Sequence, residues 1–232
     1  MIKELLQDNQ SVFHSVVPFD SSKDKLLPLD FTVRNIELTE EIISDTNRFT
    51  QYINTKLQSA NATYGIGGYD EQRTVYSMSR VFDSADGSEP RRLHLGIDIW
   101  GKPYTKIMAP LDAIIHSFAF NNAFGDYGAT IILTHNVQGQ TFHTLYGHLS
   151  LNSIKNIQQG DRIKKGDVFC EFGIPFENGQ WPPHLHFQIV IDMQGMQGDY
   201  PGVCKLSERE SYLNNCPDPD LILQMMQYAQ GK

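Results

Sequence analysis

Three short stretches place side chains that bind metals and move protons at regular spacing. In HLGID (94–98), His94, Gly96 and Asp98 fall two residues apart. Side chains alternate faces along a strand, so these three share one face and Leu95 and Ile97 the other. That puts an imidazole and a carboxylate on one side with only a hydrogen between them, which leaves room for something bulky such as an ion and its water. In HLHFQIV (184–190) the same arithmetic puts His184 and His186 on one face, with Leu185, Phe187 and Ile189 toward a core. LYGHLS (145–150) adds His148 at a strand end or turn.

Together the stretches supply several imidazoles and one carboxylate, the nitrogen and oxygen donors that zinc prefers. A catalytic zinc takes three protein ligands and keeps one position for water, and spare histidines then act as acid or base. Mn, Co or Fe would accept similar donors. A lone strand histidine is ordinarily structural; the signal is the co-occurrence of HxGxD and HxH, each inside an alternating apolar strand. His14, His116 and His135 lack such company and read as structural or surface residues. His143 lies five residues before His148, which on a regular strand turns it to the other face.

HLGID, TLYGHLS and PPHLHFQI, with GDRIKKGDVFCEFG (160–173) between the last two, resemble the signature motifs of the lysostaphin-type zinc metallopeptidases. Motif order and separation are kept over about residues 90–192. The resemblance implies a domain of antiparallel sheets with a groove, and a metal-activated water that hydrolyses amide bonds. It makes His94, Asp98 and His186 the ligands of one Zn2+ per chain, and His148 and His184 the non-ligand catalytic pair. The general base stays open between those two, His184 slightly ahead as neighbour of a ligand. The family's substrate class would be glycine-containing peptides or peptidoglycan crosslinks. ENGQWPP precedes HLH where many members have a small polar run, Gln188 stands where many have Glu, and ADGSEPRR (85–92) carries no tyrosine before the first ligand. A narrower resemblance, through GGYDEQRTVY, RRLHLGIDIWGKP, FHTLYGHLS and ENGQWPPHLHFQIV, is to the peptidase-like domain fused to class III aminotransferases. That context favours an intracellular hydrolase of a small amide-type metabolite as the alternative. A non-catalytic binding module is a third reading; retention of all five positions argues against it.

The elements that must carry these residues are mostly β. From about Val75 onward, short β-type runs (93–100, 113–120, 129–135, 141–149, 168–173, 184–191) alternate with turn segments. Leu38 to about Ala60 predicts a helix, capped by Thr39 with Glu40 and Glu41 in its first turn, burying Ile42, Ile43, Thr46, Phe49, Ile53 and Leu57. Short helices are expected over Ile2–Gln7 and over 217–230. YGIGGYDEQR (64–73) lacks a following GK[ST] and reads as a tight turn passing close to another segment. The expected class is mainly β with added helices (α+β): a helical extension, 1–74, before a β-rich catalytic domain, 75–232. The irregular segment 1–37 either lies across the groove and limits access, or extends the core.

The 232 residues suffice for a full core, and the net charge of −8 argues against nucleic acid or an anionic membrane surface as partner. No apolar stretch reaches membrane-spanning length and the N-terminus lacks a signal peptide's apolar run, so a cytoplasmic location is expected. Three cysteines without a CxxC read as free thiols, with Cys204 and Cys216 able to pair only in an oxidising compartment. The expected partner is a peptide or small amide substrate; oligomeric state is not legible.

Overall fold

The computed structural model describes residues 2–83 and 87–229. Its strands are β1 (Leu26–Pro28), β2 (Tyr64–Gly67), β3 (Glu71–Gln72), β4 (Leu93–His94), β5 (Ile97–Trp100), β6 (Lys106–Met108), β7 (Ala113–Asn121), β8 (Gly128–Val137), β9 (Gln140–Leu149), β10 (Arg162–Ile163), β11 (Val168–Glu171), β12 (His184–Val190) and β13 (Val203–Cys204). The helices are α1 (Ile2–Asp8), α2 (Glu40–Ile43), α3 (Thr46–Ala60), α4 (Arg209–Asn215) and α5 (Asp220–Leu223). The class is the expected one, mostly β with helices added.

Eight strands form the main sheet in the order β1-β2-β5-β12-β9-β8-β7-β10. Its pairs are antiparallel except β1 with β2, which run parallel. Leu185, Phe187 and Ile189 of β12 are fully buried with Ile97, Ile99, Ile131 and Leu133, as their alternation requires. β13-β4-β3 makes a second, three-stranded sheet, and β11 pairs with β6.

Several expectations need correction. The single strand over 93–100 is two strands in different sheets, because the chain changes sheet at Leu95–Gly96, where Leu95 N donates to Gly202 O. The helix from Leu38 is broken at Asp45, whose extended backbone starts α3 and whose carboxylate accepts from Asn47 N and Arg48 N; Thr39 precedes α2 without a side-chain cap. Phe49, Ile53 and Leu57 form the buried face as expected. Residues 64–67 are a buried strand rather than a turn. Close approach is nonetheless real there, since a Cβ on Gly65 would lie 2.5 Å from Leu29 Cδ1. The C-terminal helix shortens to α5 plus one 3-10 turn, Met226–Tyr228, because Gln224 takes a left-handed conformation that ends α5; residue 230 lies outside the described residues.

Segment 1–37 extends the core. Leu6, Val16, Val17 and Leu26 are buried with the sheet residues, and Leu29 and Phe31 join Phe49 and Trp100 in a neighbouring cluster. The three cysteines are free and buried. Among the described residues, no helix is long and apolar enough to cross a membrane.

Candidate metal centre

Strand register assembles the site. β12 lies between β5 and β9, with His186 opposite Asp98 on one side and Gly147 on the other. His94, at the end of β4, reaches the same point from the smaller sheet. His94 Nε2 and His186 Nδ1 are 2.9 Å apart, and Asp98 Oδ1 lies 3.2 and 3.1 Å from them. These three are the set of clustered His, Cys, Asp or Glu donors, among the described residues, that suits a metal ion.

Each donor is aimed by a bond at its far end. His94 Nδ1 is 3.0 Å from Gly68 O; a carbonyl only accepts, so Nδ1 carries the hydrogen and Nε2 offers its lone pair. His186 Nε2 sits 2.9 Å from Gln188 Oε1, which leaves Nδ1 as the lone-pair nitrogen. Arg73 Nη1 donates to Asp98 Oδ2 at 2.5 Å, so Oδ1 faces the histidines. Burial alone would raise the Asp98 carboxyl; His94 and Arg73 reverse that and hold it well below the usual carboxylate range. Burial, reinforced by Arg73, pushes His94 down to about 4, so it is neutral at physiological pH, as a ligand must be. Two imidazoles and one carboxylate within bonding reach of a common point fit zinc.

Gly96 serves a purpose other than the one its spacing suggests. A Cβ there would lie 2.5 Å from His186 Cε1, so the glycine makes room for the His186 ring. Gly147 does the same for the ring of Tyr127, at 2.4 Å.

His148 and His184 stand beside the triad as a stacked pair, ring centroids 4.1 Å apart. Their Nδ1 atoms donate to Asn178 O (2.8 Å) and Pro182 O (2.7 Å), which leaves both Nε2 atoms as proton acceptors. Burial lowers both basicities, His184 to about 4. His148 holds φ = +63°, a left-handed backbone that costs energy for a residue with a Cβ and clusters at functional sites. Trp100 stacks on the other face of His184 at 3.8 Å and 13°. The remaining histidines stay outside. His116 and His143 pair edge to face with centroids 5.0 Å apart, and His135 Nε2 meets Thr144 Oγ1.

Residues 92–198 match the model of peptidase family M23. That stretch, a little under half of the chain, is similar to peptidase family M23. The family is one of peptidases, and the matched stretch includes all five residues of the candidate centre. The chain is 28% identical over 125 residues to the L-Ala–D-Glu endopeptidase of Bacillus subtilis (strain 168), a match that covers 52% of this chain and 36% of that relative. The chain thus spans about a third of the length of that curated relative. Among solved structures it is similar to the catalytic domain of the antimicrobial peptidase lysostaphin from Staphylococcus simulans (TM-score 0.41, 20% identity, 70% of this chain and 96% of that one). It is also similar to a zinc containing peptidase from Vibrio cholerae (TM-score 0.35, 20% identity, 46% and 29%).

All five residues singled out from sequence come together around the donor cluster. Sequence reading missed Arg73, Trp100 and Tyr127, and treated Gln188 only as a departure. Tyr127 Oη lies 3.4 Å from His186 Nε2, and Tyr76 lies near His94, ring centroids 6.2 Å apart. Neither tyrosine belongs to ADGSEPRR, of which residues 85 and 86 lie outside the described residues. Trp100, two residues past Asp98 on β5, and Gln188, two past His186 on β12, lay within reach of the period-two rule, whereas no spacing rule links Arg73 or Tyr127 to the motifs. For Arg73 the hint was Glu71 and Arg73, two charges beside a glycine-rich run.

Proposed function

We propose that the chain is a zinc-dependent metallopeptidase in which His94, Asp98 and His186 hold one zinc and His148 and His184 handle protons. The observation that carries this reading is the convergence of three donor atoms beside two imidazoles whose Nε2 atoms are free to accept. When bound, zinc supplies a Lewis acid that acidifies water and polarises a carbonyl. The chain's own residues do the rest. Pro182 O and Asn178 O keep the two catalytic rings in the tautomer with Nε2 unprotonated. His184 Nε2 takes the proton from the attacking water, and His148, stacked against it, donates to the developing oxyanion once protonated. Overall, water adds across the amide: a C–O bond forms, the C–N bond breaks, and a proton goes to the leaving amine.

Glycine-containing peptides and peptidoglycan crosslinks are the first substrates to test. A second reading, hydrolysis of a small amide-type metabolite, is favoured by how deeply the five side chains are enclosed. The test is a screen of peptides, murein fragments and small amides with zinc-loaded protein, with His148→Ala as control. Turnover that needs zinc and falls at least about a hundredfold in the control supports the proposal; turnover unaffected by His148→Ala or by zinc removal sinks it.

A further inference from the structure

The candidate centre is closed in. His94 is 0% exposed, His184 2%, Asp98 and His186 3% and His148 6%. Tyr76 and Phe82, on 3-10 turns at Val75–Met78 and Arg80–Phe82, contact each other with ring centroids 4.6 Å apart, and Tyr76 meets Trp181 edge to face at 6.1 Å. With Tyr127 and Tyr200 they wall a cavity of about 200 Å³ in front of His148 and His186. That is below the ~300–1,000 Å³ of clefts that take drug-sized ligands. An extended peptide runs roughly 3.3 Å per residue, so a strand of several residues does not fit inside, whereas two residues do.

The cavity's lining also carries charge. Asp126 and Asp199 share it with one guanidinium, that of Arg91. Arg91 is already engaged, donating to Val81 O and lying over the Phe82 ring. Asp199 is exposed and Asp126 half-buried, which sets them at the mouth. Burial raises the Asp126 carboxyl and Asp199 adds to the rise, so Asp126 feels the charge of Asp199. A carboxylate pair with one partly committed cation favours a cationic group of a ligand. Trp181, only 4% exposed, lines the same cavity.

We propose that the site takes a small amide of about dipeptide size with a free α-ammonium group. Asp126 and Asp199 hold the ammonium at the cavity mouth, and the bond to be cut lies against His148 and His186. This rests on reading the chain as a zinc-dependent amide hydrolase, and it deepens that reading to a substrate class.

The experiment uses the zinc-loaded full chain with free dipeptides, the same dipeptides N-acetylated, a longer peptide with the same bond internal, and purified murein. Free dipeptides are expected to turn over, and N-acetylation to lower kcat/KM by at least about tenfold, since a site built for a polar group rejects the analogue lacking it. Asp199→Asn, and separately Asp126→Asn, which keeps the acceptor oxygen for Tyr127 N, should shrink that gap through KM. Equal turnover of blocked and free dipeptides, or preference for the longer peptide or murein, overturns the proposal and leaves the hydrolase reading standing. A parallel arm measures tryptophan fluorescence on binding a dipeptide analogue with CH2–NH in place of the amide. Binding that needs the free ammonium, with no turnover of any substrate, supports the ligand class and sinks the hydrolase reading. Neither binding nor turnover overturns both.

Discussion

Arg73 Nη1 and Asp98 Oδ2 are 2.5 Å apart in a fully enclosed ion pair, both residues no more than 3% exposed. The guanidinium is tied at Nε to Glu71, 2.6 Å away, and lies over the Phe31 ring at 5.2 Å. It therefore determines which carboxylate oxygen faces His94 and His186. Arg73→Lys keeps the charge but not the fork that orients Asp98. Zinc affinity should fall about 10- to 100-fold, the usual cost of losing a partner behind a ligand. Competition with a chromogenic chelator measures it, and unchanged affinity would remove Arg73 from the site.

Gly96→Ala tests the room made for His186. The added methyl would sit 2.5 Å from the His186 ring and 2.8 Å from Phe187 O. The ring can shift but the carbonyl belongs to β12. Overpacking of this kind costs about 1–3 kcal/mol, and displacing a ligand should cost zinc as well. Urea denaturation and metal content together read it: a stable variant with full zinc would contradict the packing argument.

Trp100 holds His184 from one face while His148 holds it from the other. Trp100→Leu keeps an apolar side chain but loses the flat surface. The His184 ring should then sample other orientations, lowering kcat by about tenfold or more with KM little changed, since misplacing a catalytic group by about 1 Å is costly. Steady-state kinetics on any substrate found active decide it. A change confined to KM would mean that Trp100 acts on binding.

Acid sensitivity has a contributor outside the site. Burial lowers His135 to about 4, and its Nδ1 donates to Asp112 O. The unfolded chain binds this proton near pH 6.5 and the folded chain only near 4. Stability is therefore constant above about pH 6.5 and falls between there and pH 4, by roughly 3 kcal/mol from this residue. Denaturant midpoints at pH 7, 5.5 and 4.5 should fall in that order, with a shallower slope for His135→Gln. An equal slope in the variant would assign the acid sensitivity elsewhere.

Removing residues 1–37 should destabilise the chain rather than open the groove. The deletion takes away β1 from the sheet edge and exposes the surfaces that Leu6, Val16, Val17, Leu26 and Phe31 cover. Each buried apolar side chain contributes about 1.5–3 kcal/mol, so the truncation should fail to give a cooperative thermal transition. A well-folded, more active truncation would restore the idea of a blocking segment.

The sequence by itself determined the strands that matter and the faces their side chains take. Period-two alternation in HLHFQIV separates Leu185, Phe187 and Ile189 from His184 and His186 without reference to any other segment, because a pleated strand has only two faces. His94 and Asp98 were legible for the same reason, as was the mainly β class, while His148 was placed only at a strand end or turn. What only the tertiary structure decided depends on contacts between distant segments. Register puts His186 opposite Asp98; a change of sheet at Leu95–Gly96 brings His94 to them; Arg73 and Tyr127 arrive from two other segments, just past β3 and just before β8. The enclosure of the site was equally invisible, since Tyr76, Phe82 and Trp181 meet across about a hundred residues of chain. Local periodicity reports which way a side chain points, but what it points at depends on how the whole chain packs.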